Sequence, residues 1–438
     1  MNKKPKVLVI SRDSWNDTNN SGNTLSNMFQ NWNADSIANL YCRDEIPSNP
    51  ICKNYFKISE SLLVKKLLRK IETAGYSFKI EELENQKKHT NEVKKEQTEK
   101  KLYNFFRKYR WHFFLWLREL LWIIVNWKSK KLDNFLSEFN PDVIFTTSYD
   151  SFYTHKLVYY AKKKTNAKLV VFHCDDLVTF RQHSFSPLFW LNRIMLRLYM
   201  NKTVRLSDLN YCIIEEQARV YSEIYNSEFK LLYKTGSFEK EPILSEVHQP
   251  VKIVYTGNII YGRINTLIQF ADILKKINNS VTKAELYIYT ANEMDEQDKI
   301  KLLSSNSVHL MGKVAYDQIP LILSDSDVLL HVESFDTHLM KATALSFSTK
   351  IVDYLEAGKT ILAIGWEKSA SIKYIKENNI GFTANKTQEI ENVLNEILSN
   401  PEKLSQIGNK AWKFAQKKHN KEIVLRNFEE EINLLNRK

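Results

Sequence analysis

The chain has 438 residues, 43% hydrophobic and 26% charged, with 63 Lys and Arg against 51 Asp and Glu for a formal net charge of +12. That length suggests two or three domains, and that apolar content excludes a disordered chain. Cys42, Cys52, Cys174 and Cys212 show neither CxxC nor Cys/His spacing, which argues against a zinc centre or a disulfide framework and suits a reducing compartment. No apolar run is long enough to span a bilayer. No nucleic-acid motif accompanies the positive charge, so an anionic membrane surface or phosphorylated small molecules are the better partners for it.

The N-terminal "MNKKPKVLVISRD" has too short an apolar run for a secretory leader and reads as the first buried strand, 6–11. "SRDSWNDTNNSGNTLSNMF" (11–29) then reads as a polar loop between strand and helix, where Gly22, Asn23 and Thr24 can approach a ligand through their backbone. Further buried strands are predicted at 36–42, 142–148, 168–174 and 208–214, with a helix at 155–164. This alternation is the βαβ pattern of a parallel sheet.

A helical insertion at 81–127 interrupts that pattern, and its first part, 81–109, is polar enough to be an exposed helix or partly disordered. "WHFFLWLRELLWIIVNW" (111–127) follows; as a helix it places His112, Glu119 and Asn126 on one narrow polar stripe among four tryptophans. It suits a core helix or an interfacial one, and its tryptophans beside the basic "FFRKYR" (105–110) favour a membrane surface. At the end of strand 168–174 stand His173, Asp175 and Asp176, with a turn residue the bland reading of His173.

"KEPILSEVHQP" (240–250) marks the boundary between domains 1–245 and 250–410. The second domain repeats the alternation, with strands at 251–257, 285–291, 308–312, 327–333 and 360–365. Both halves are therefore doubly wound α/β units, and ligands bind at the carboxyl edges of such sheets. "VYTGNIIYGRINTLIQFADIL" (254–274) runs from strand to helix through Gly257, Asn258, Gly262 and Arg263. In "FSTKIVDYLEAGKTILAIG" (347–365), Ser346, Ser348 and Thr349 precede a helix that opens with Lys350 and carries Asp353 one turn on. Free amides at that helix start, with Lys350, would suit an anion, and Asp353 would suit hydroxyls. Taken singly, each motif is equally well a solvated turn or a surface ion pair. "DSD" (325–327) reads as a helix end and strand start rather than a metal site. The tail 411–438 is helical, with Val424, Phe428, Ile432 and Leu435 on one face that packs back toward the first domain.

On these motifs the chain resembles retaining glycosyltransferases of family 4, which have the GT-B fold of two Rossmann-like domains facing a cleft. The resemblance covers the whole chain in outline and 250–400 in motif. It implies a nucleotide-diphosphate-sugar donor, no cofactor, and a glycan or lipid-linked acceptor, as in bacterial-type surface polysaccharide or glycoconjugate synthesis. The 111–127 pattern, its tryptophans and the net charge put that acceptor at the inner membrane face, and the reading of "DSD" leaves no metal expected. It assigns Arg263 and Lys350 to the diphosphate, Asp353 to ribose, Gly312, Lys313 and Val314 to the base pocket, and His173 to the transferred sugar. The family's first acid falls at Leu345, so Glu333 is expected to replace it, with Asp336 as the other option. Because of Leu345, a catalytically inactive GT-B partner protein stays open as an alternative, as does a nucleotide-sugar epimerase.

Overall fold

The computed structural model describes residues 4–16, 20–82, 112–182, 184–242 and 246–437. The first domain runs β1 (Val7–Ser11), α1 (Asn20–Phe29), β2 (Ile37–Tyr41), β3 (Asn54–Lys57), α2 (Glu60–Leu67), β4 (Tyr76–Lys79), α3 (His112–Ile124), α4 (Lys130–Phe139), β5 (Val143–Thr147), α5 (Phe152–Thr165), β6 (Lys168–His173), α6 (Pro187–Leu206), β7 (Leu209–Cys212), α7 (Glu215–Tyr225) and β8 (Lys230–Leu231). The second runs β9 (Val251–Thr256), α8 (Arg263–Ile277), β10 (Ala284–Tyr289), α9 (Glu296–Leu302), β11 (Val308–Gly312), α10 (Ile319–Ser324), β12 (Val328–Val332), α11 (Thr337–Ala342), α12 (Lys350–Ala357), β13 (Thr360–Ile364), α13 (Ala370–Glu377), β14 (Phe382–Ala384), α14 (Thr387–Ser399), α15 (Glu402–Lys418) and α16 (Lys421–Arg437).

The first sheet has strand order β4-β3-β2-β1-β5-β6-β7-β8, parallel except for β4, and the second β11-β10-β9-β12-β13-β14, parallel throughout. Helices cover both faces, so the central strands must be apolar on both sides. β1, β2, β12 and β13 are buried at every position. The order reverses between β1 and β5 in one sheet and between β9 and β12 in the other, and each reversal opens a crevice at the carboxyl ends of the strands. The short strands β3, β4, β8 and β14 are not evident in the sequence. They lie at sheet margins, where four residues or fewer show no periodicity.

α16 packs against the first domain. Phe428 meets Phe29, Phe145 and Tyr211 at ring-centroid distances of 5.8–6.0 Å, and Glu429 and Glu431 pair with Lys4 and Lys230 at 2.9 and 2.7 Å.

The helix within 111–127 turns its polar stripe inward at Glu119. Glu119 is buried and accepts from the Tyr153 N–H at 3.2 Å, and Trp122 is buried in a stack on Tyr153 at 4.2 Å. Phe113, Leu117, Leu120, Ile123 and Ile124 face outward instead, and Asn126 is exposed beyond the end of the helix. Periodicity located the stripe but not the partner of Glu119, which is Arg118 at 3.2 Å together with that backbone amide. All but the first two residues of the segment 81–109, and the basic 105–110 cluster, lie outside the described residues. Among the described residues no helix is long and apolar enough to cross a membrane.

Candidate active site

β9 and β12 are neighbours at the centre of the second sheet, and the loops after them diverge around the crevice. β9 gives way to Gly257 at φ +124°, where a Cβ atom would lie 3.2 Å from Lys350 Nζ. The missing side chain lets that lysine reach in from α12. Its ammonium donates to the Thr256 carbonyl at 3.0 Å and sits 4.2 Å from the centroid of the Tyr255 ring. Gly262, at φ +74°, precedes α8, and a Cβ there would meet Ser334 Oγ at 2.5 Å. The loops after β9 and β12 are thereby held together.

Arg263 opens α8. Its Nη1 donates to Asn258 Oδ1 at 2.6 Å, and its Nη2 donates to both Glu333 oxygens at 3.0 and 3.1 Å. Glu333 lies just past β12 and is buried. His331, two residues earlier on the same strand face, is fully buried with Nε2 3.3 Å from the Glu333 carboxylate. Burial opposes ionisation of Glu333, but His331 and Arg263 outweigh it and hold the carboxyl at about 2. Burial pushes His331 down to about 4, so its ring is neutral at pH 7. Burial works against the Arg263 charge too, yet Glu333 keeps its pKa above the ordinary value. Burial, reinforced by Arg263, pushes Lys350 down to about 7 against the pull of Glu333. Two cationic side chains thus converge on a sheet switch point, Arg263 bound to the Glu333 carboxylate and Lys350 to the Thr256 carbonyl. An anion placed there meets charge-assisted donors in a water-poor setting.

Other expected site residues are placed differently. Asp353 is held in a close ion pair by Lys234, which follows β8 and also donates to the Thr349 carbonyl at 3.2 Å. The start of α12 offers fewer amides than expected. Ser348 N–H donates to Ser371 Oγ, Ile351 and Val352 N–H close a tight turn on the Ser348 and Thr349 carbonyls, and Thr349 makes no side-chain cap. Gly312, Lys313 and Val314 lie at the end of β11, an edge strand two places from β9, with Gly312 and Lys313 exposed.

His173 does not reach the cleft. It is fully buried between Tyr221 and Phe229, near Asn210 at 3.5 Å, and burial pushes its pKa down to about 3. Gly22, Asn23 and Thr24 belong to α1 rather than a loop, and a Cβ at Gly22 would collide with the Asn16 carbonyl. Asp336 caps α11 by accepting from the His338 and Leu339 amides at 2.9 and 3.1 Å. Glu333 serves Arg263 rather than an open sugar site. Leu345 is fully buried among Val178, Met200, Tyr221 and Phe229 of the first domain, which is why no acid stands there. In "DSD", Asp325 pairs with Lys252 at 2.6 Å and Asp327 with His248 at 3.0 Å. Sequence reading missed Tyr255, His331 and Lys234. The i, i+2 spacing of His331 and Glu333 on a strand was the available signal for one of them.

A cavity of about 830 Å³ lies between the domains, with Phe180, Arg181 and Arg219 on one wall and Trp366, Lys368 and Lys373 on the other. Lys373 crosses it to Glu216 at 2.8 Å. Trp366 on that wall follows Gly365, where a Cβ would lie 2.8 Å from that of Glu333.

Residues 271–430 match the sequence model of glycosyl transferase-like proteins. No curated protein sequence matches the chain significantly. Among solved structures, HepE of Anabaena in complex with UDP is 13% identical, with a TM-score of 0.64 over 98% of this chain and 99% of that one. Sucrose-phosphate synthase from Thermosynechococcus elongatus is 10% identical, with a TM-score of 0.61 over 98% and 99%. WaaG, a glycosyltransferase involved in lipopolysaccharide biosynthesis, is 11% identical, with a TM-score of 0.57 over 97% and 99%. The two domains together have the GT-B fold, and residues 271–430 are glycosyl transferase-like in sequence.

Proposed function

We propose that this protein is a glycosyltransferase that moves a sugar from a nucleotide-diphosphate sugar to a glycan or lipid-linked acceptor. The observation that carries the reading is the placement of Lys350 and Arg263 together at the β9/β12 switch point, Arg263 on the Glu333 carboxylate and Lys350 on the Thr256 carbonyl. HepE, of the same fold, has been solved with UDP-glucose. In this reading the bond from the sugar's anomeric carbon to the diphosphate breaks, its electron pair leaves on the phosphate oxygen, and Lys350 and Arg263 take up that charge. Following the family 4 resemblance, the acceptor hydroxyl enters on the same face, passes its proton to the departing phosphate oxygen, and the anomeric configuration is retained. Glu333 positions Arg263. The interdomain cavity admits the acceptor, and Trp366 offers it a flat apolar wall. The acceptor is presented at the inner face of the membrane, in surface polysaccharide or glycoconjugate synthesis.

A thermal-shift series with UDP, GDP, ADP and CMP identifies the base, since a ligand of the native state raises the melting temperature. Release of nucleotide from the matching donor on adding acceptor establishes transfer. Donor bound without any nucleotide release, by hydrolysis or transfer, would favour an inactive partner protein. The enclosed Glu333, the capping role of Asp336 and the apolar Leu345 support that second reading. Absence of stabilisation by every nucleotide would remove both.

A further inference from the structure

Two neighbouring helices of the first domain are folded with their apolar stripes outward. On α3 the residues Phe113, Leu117, Leu120, Ile123 and Ile124 are 48–62% exposed, while Glu119 is buried. On α6 the residues Leu188, Leu191, Ile194 and Leu198 recur every three or four positions and are 42–59% exposed. The charged Arg193 turns inward there, donating to the Asp176 carbonyl at 3.4 Å. The stripes adjoin, because Trp116 Nε1 of α3 donates to the Leu188 carbonyl of α6 at 3.3 Å. Isolated exposed leucines need no explanation, but a joined ridge of this length on a folded domain marks an interaction surface.

The rim of the ridge identifies the occupant. None of the 20 residues of α6 is acidic, and Arg197, Lys202 and Arg205 stand on it. The neighbouring α5 has no acidic residue either. Lys202 lies 4.6 Å from the centroid of the Tyr159 ring and Lys156 lies 6.0 Å from that of Tyr199, a belt of tyrosine and lysine beside the aliphatic ridge. The acids near this face are engaged: Glu119 with Arg118, Asp133 with Lys164 and Asp208 with Lys162. A second copy docking by a twofold axis would set basic rim against basic rim. An apolar ridge with a basic, tyrosine-bearing margin matches an acyl boundary under anionic headgroups.

We propose that the α3–α6 face docks this protein on an anionic lipid bilayer, with the aliphatic ridge in the acyl boundary and Lys156, Arg197 and Lys202 at the headgroups. The proposal deepens the reading of a membrane-presented acceptor and rests on it only for the purpose of docking; the surface can be tested without any sugar transfer.

The test is flotation of the full chain with vesicles of phosphatidylcholine alone or mixed with phosphatidylglycerol. Wild type is expected to float with the mixed vesicles and to be released by salt. The variant Leu117→Ser/Ile123→Ser/Leu191→Ser/Ile194→Ser should lose flotation while keeping its melting temperature. Each basic residue near an anionic leaflet contributes roughly fivefold in binding, so Arg197→Gln/Lys202→Gln should bind roughly 25-fold more weakly. Wild type left behind by anionic vesicles overturns the proposal, as does a charge variant that floats like wild type. A wild-type dimer in sedimentation that the serine variant converts to monomer also overturns it, by giving the face to a second copy. Nucleotide release from donor sugar, measured without vesicles on wild type and both variants, reports separately on the glycosyltransferase reading.

Discussion

Lys350 carries the most information of any single residue. An ammonium deprived of water beside a guanidinium is costly until an anion arrives. Lys350→Met is therefore expected to raise the melting temperature of the ligand-free protein. The same change should weaken donor binding by about 1.5–3 kcal/mol, the range for a charge-assisted hydrogen bond. Equal donor affinity in wild type and variant would refute the assignment. The pH dependence has a definite sign. The folded pKa of about 7 lies below that of an unfolded lysine, so between pH 7 and 10 the unfolded chain binds more protons. The cost of burying the charge is full below pH 7 and is relieved as pH rises toward the unfolded value. Donor binding should take up a proton above pH 7, with affinity falling by up to about tenfold per pH unit. Calorimetry with an intact nucleotide sugar in buffers of different ionisation enthalpy measures that uptake, and affinity constant from pH 6 to 9 would contradict it. Because protein cations supply the charge at this site, turnover should also persist in EDTA; loss of activity restored by Mn²⁺ or Mg²⁺ would show otherwise.

At the scale of elements, the Arg263–Glu333 pair ties the start of α8 to the end of β12 across the switch point. Arg263 thus has a structural as well as a ligand-facing role. Arg263→Ala leaves a buried carboxylate without its main partner, and breaking such a pair costs about 3–5 kcal/mol. Urea unfolding should show that loss, and Arg263→Ala/Glu333→Ala should recover part of it. Wild-type stability in Arg263→Ala would mean that Glu333 is solvated. On α3, Trp122 stacks on Tyr153 in the interior, so Trp122→Ala should cost about 3–5 kcal/mol, whereas Leu117→Ser on the outer face should cost little.

Across the whole molecule, the domains are joined by Lys234–Asp353 and Lys373–Glu216, and by Leu345 inserted among apolar residues of the first domain. Leu345→Glu places an acid where the glycosyltransferase family 4 pattern that the sequence resembles has one, yet it drives a charge into that apolar cluster. It is expected to lower activity and open the interdomain angle, seen as a larger radius of gyration in X-ray scattering. A fully compact and more active Leu345→Glu would instead mean that the loop can turn its acid into the cleft.

The sequence by itself determined the two doubly wound sheets. Strands buried on both faces read as near-continuous apolar runs, and β1, β5, β9, β12 and β13 are such runs, with polar residues such as Lys252 and His331 interspersed. It also marked Gly257, Arg263 and Lys350, because two cationic motifs at two strand edges of one domain are less readily solvated turns than either motif alone. Only the tertiary structure decided which carboxylate faces which cation. It gave Glu333 to Arg263, Lys234 to Asp353 and Leu345 to the opposite domain, and it enclosed His173. Each of these contacts joins residues far apart in the chain, the enclosure of His173 by Tyr221 and Phe229 included. Periodicity likewise fixed that α3 has two faces. Which face turned inward was decided by the Tyr153 amide, a partner for Glu119 that no helical wheel of α3 contains.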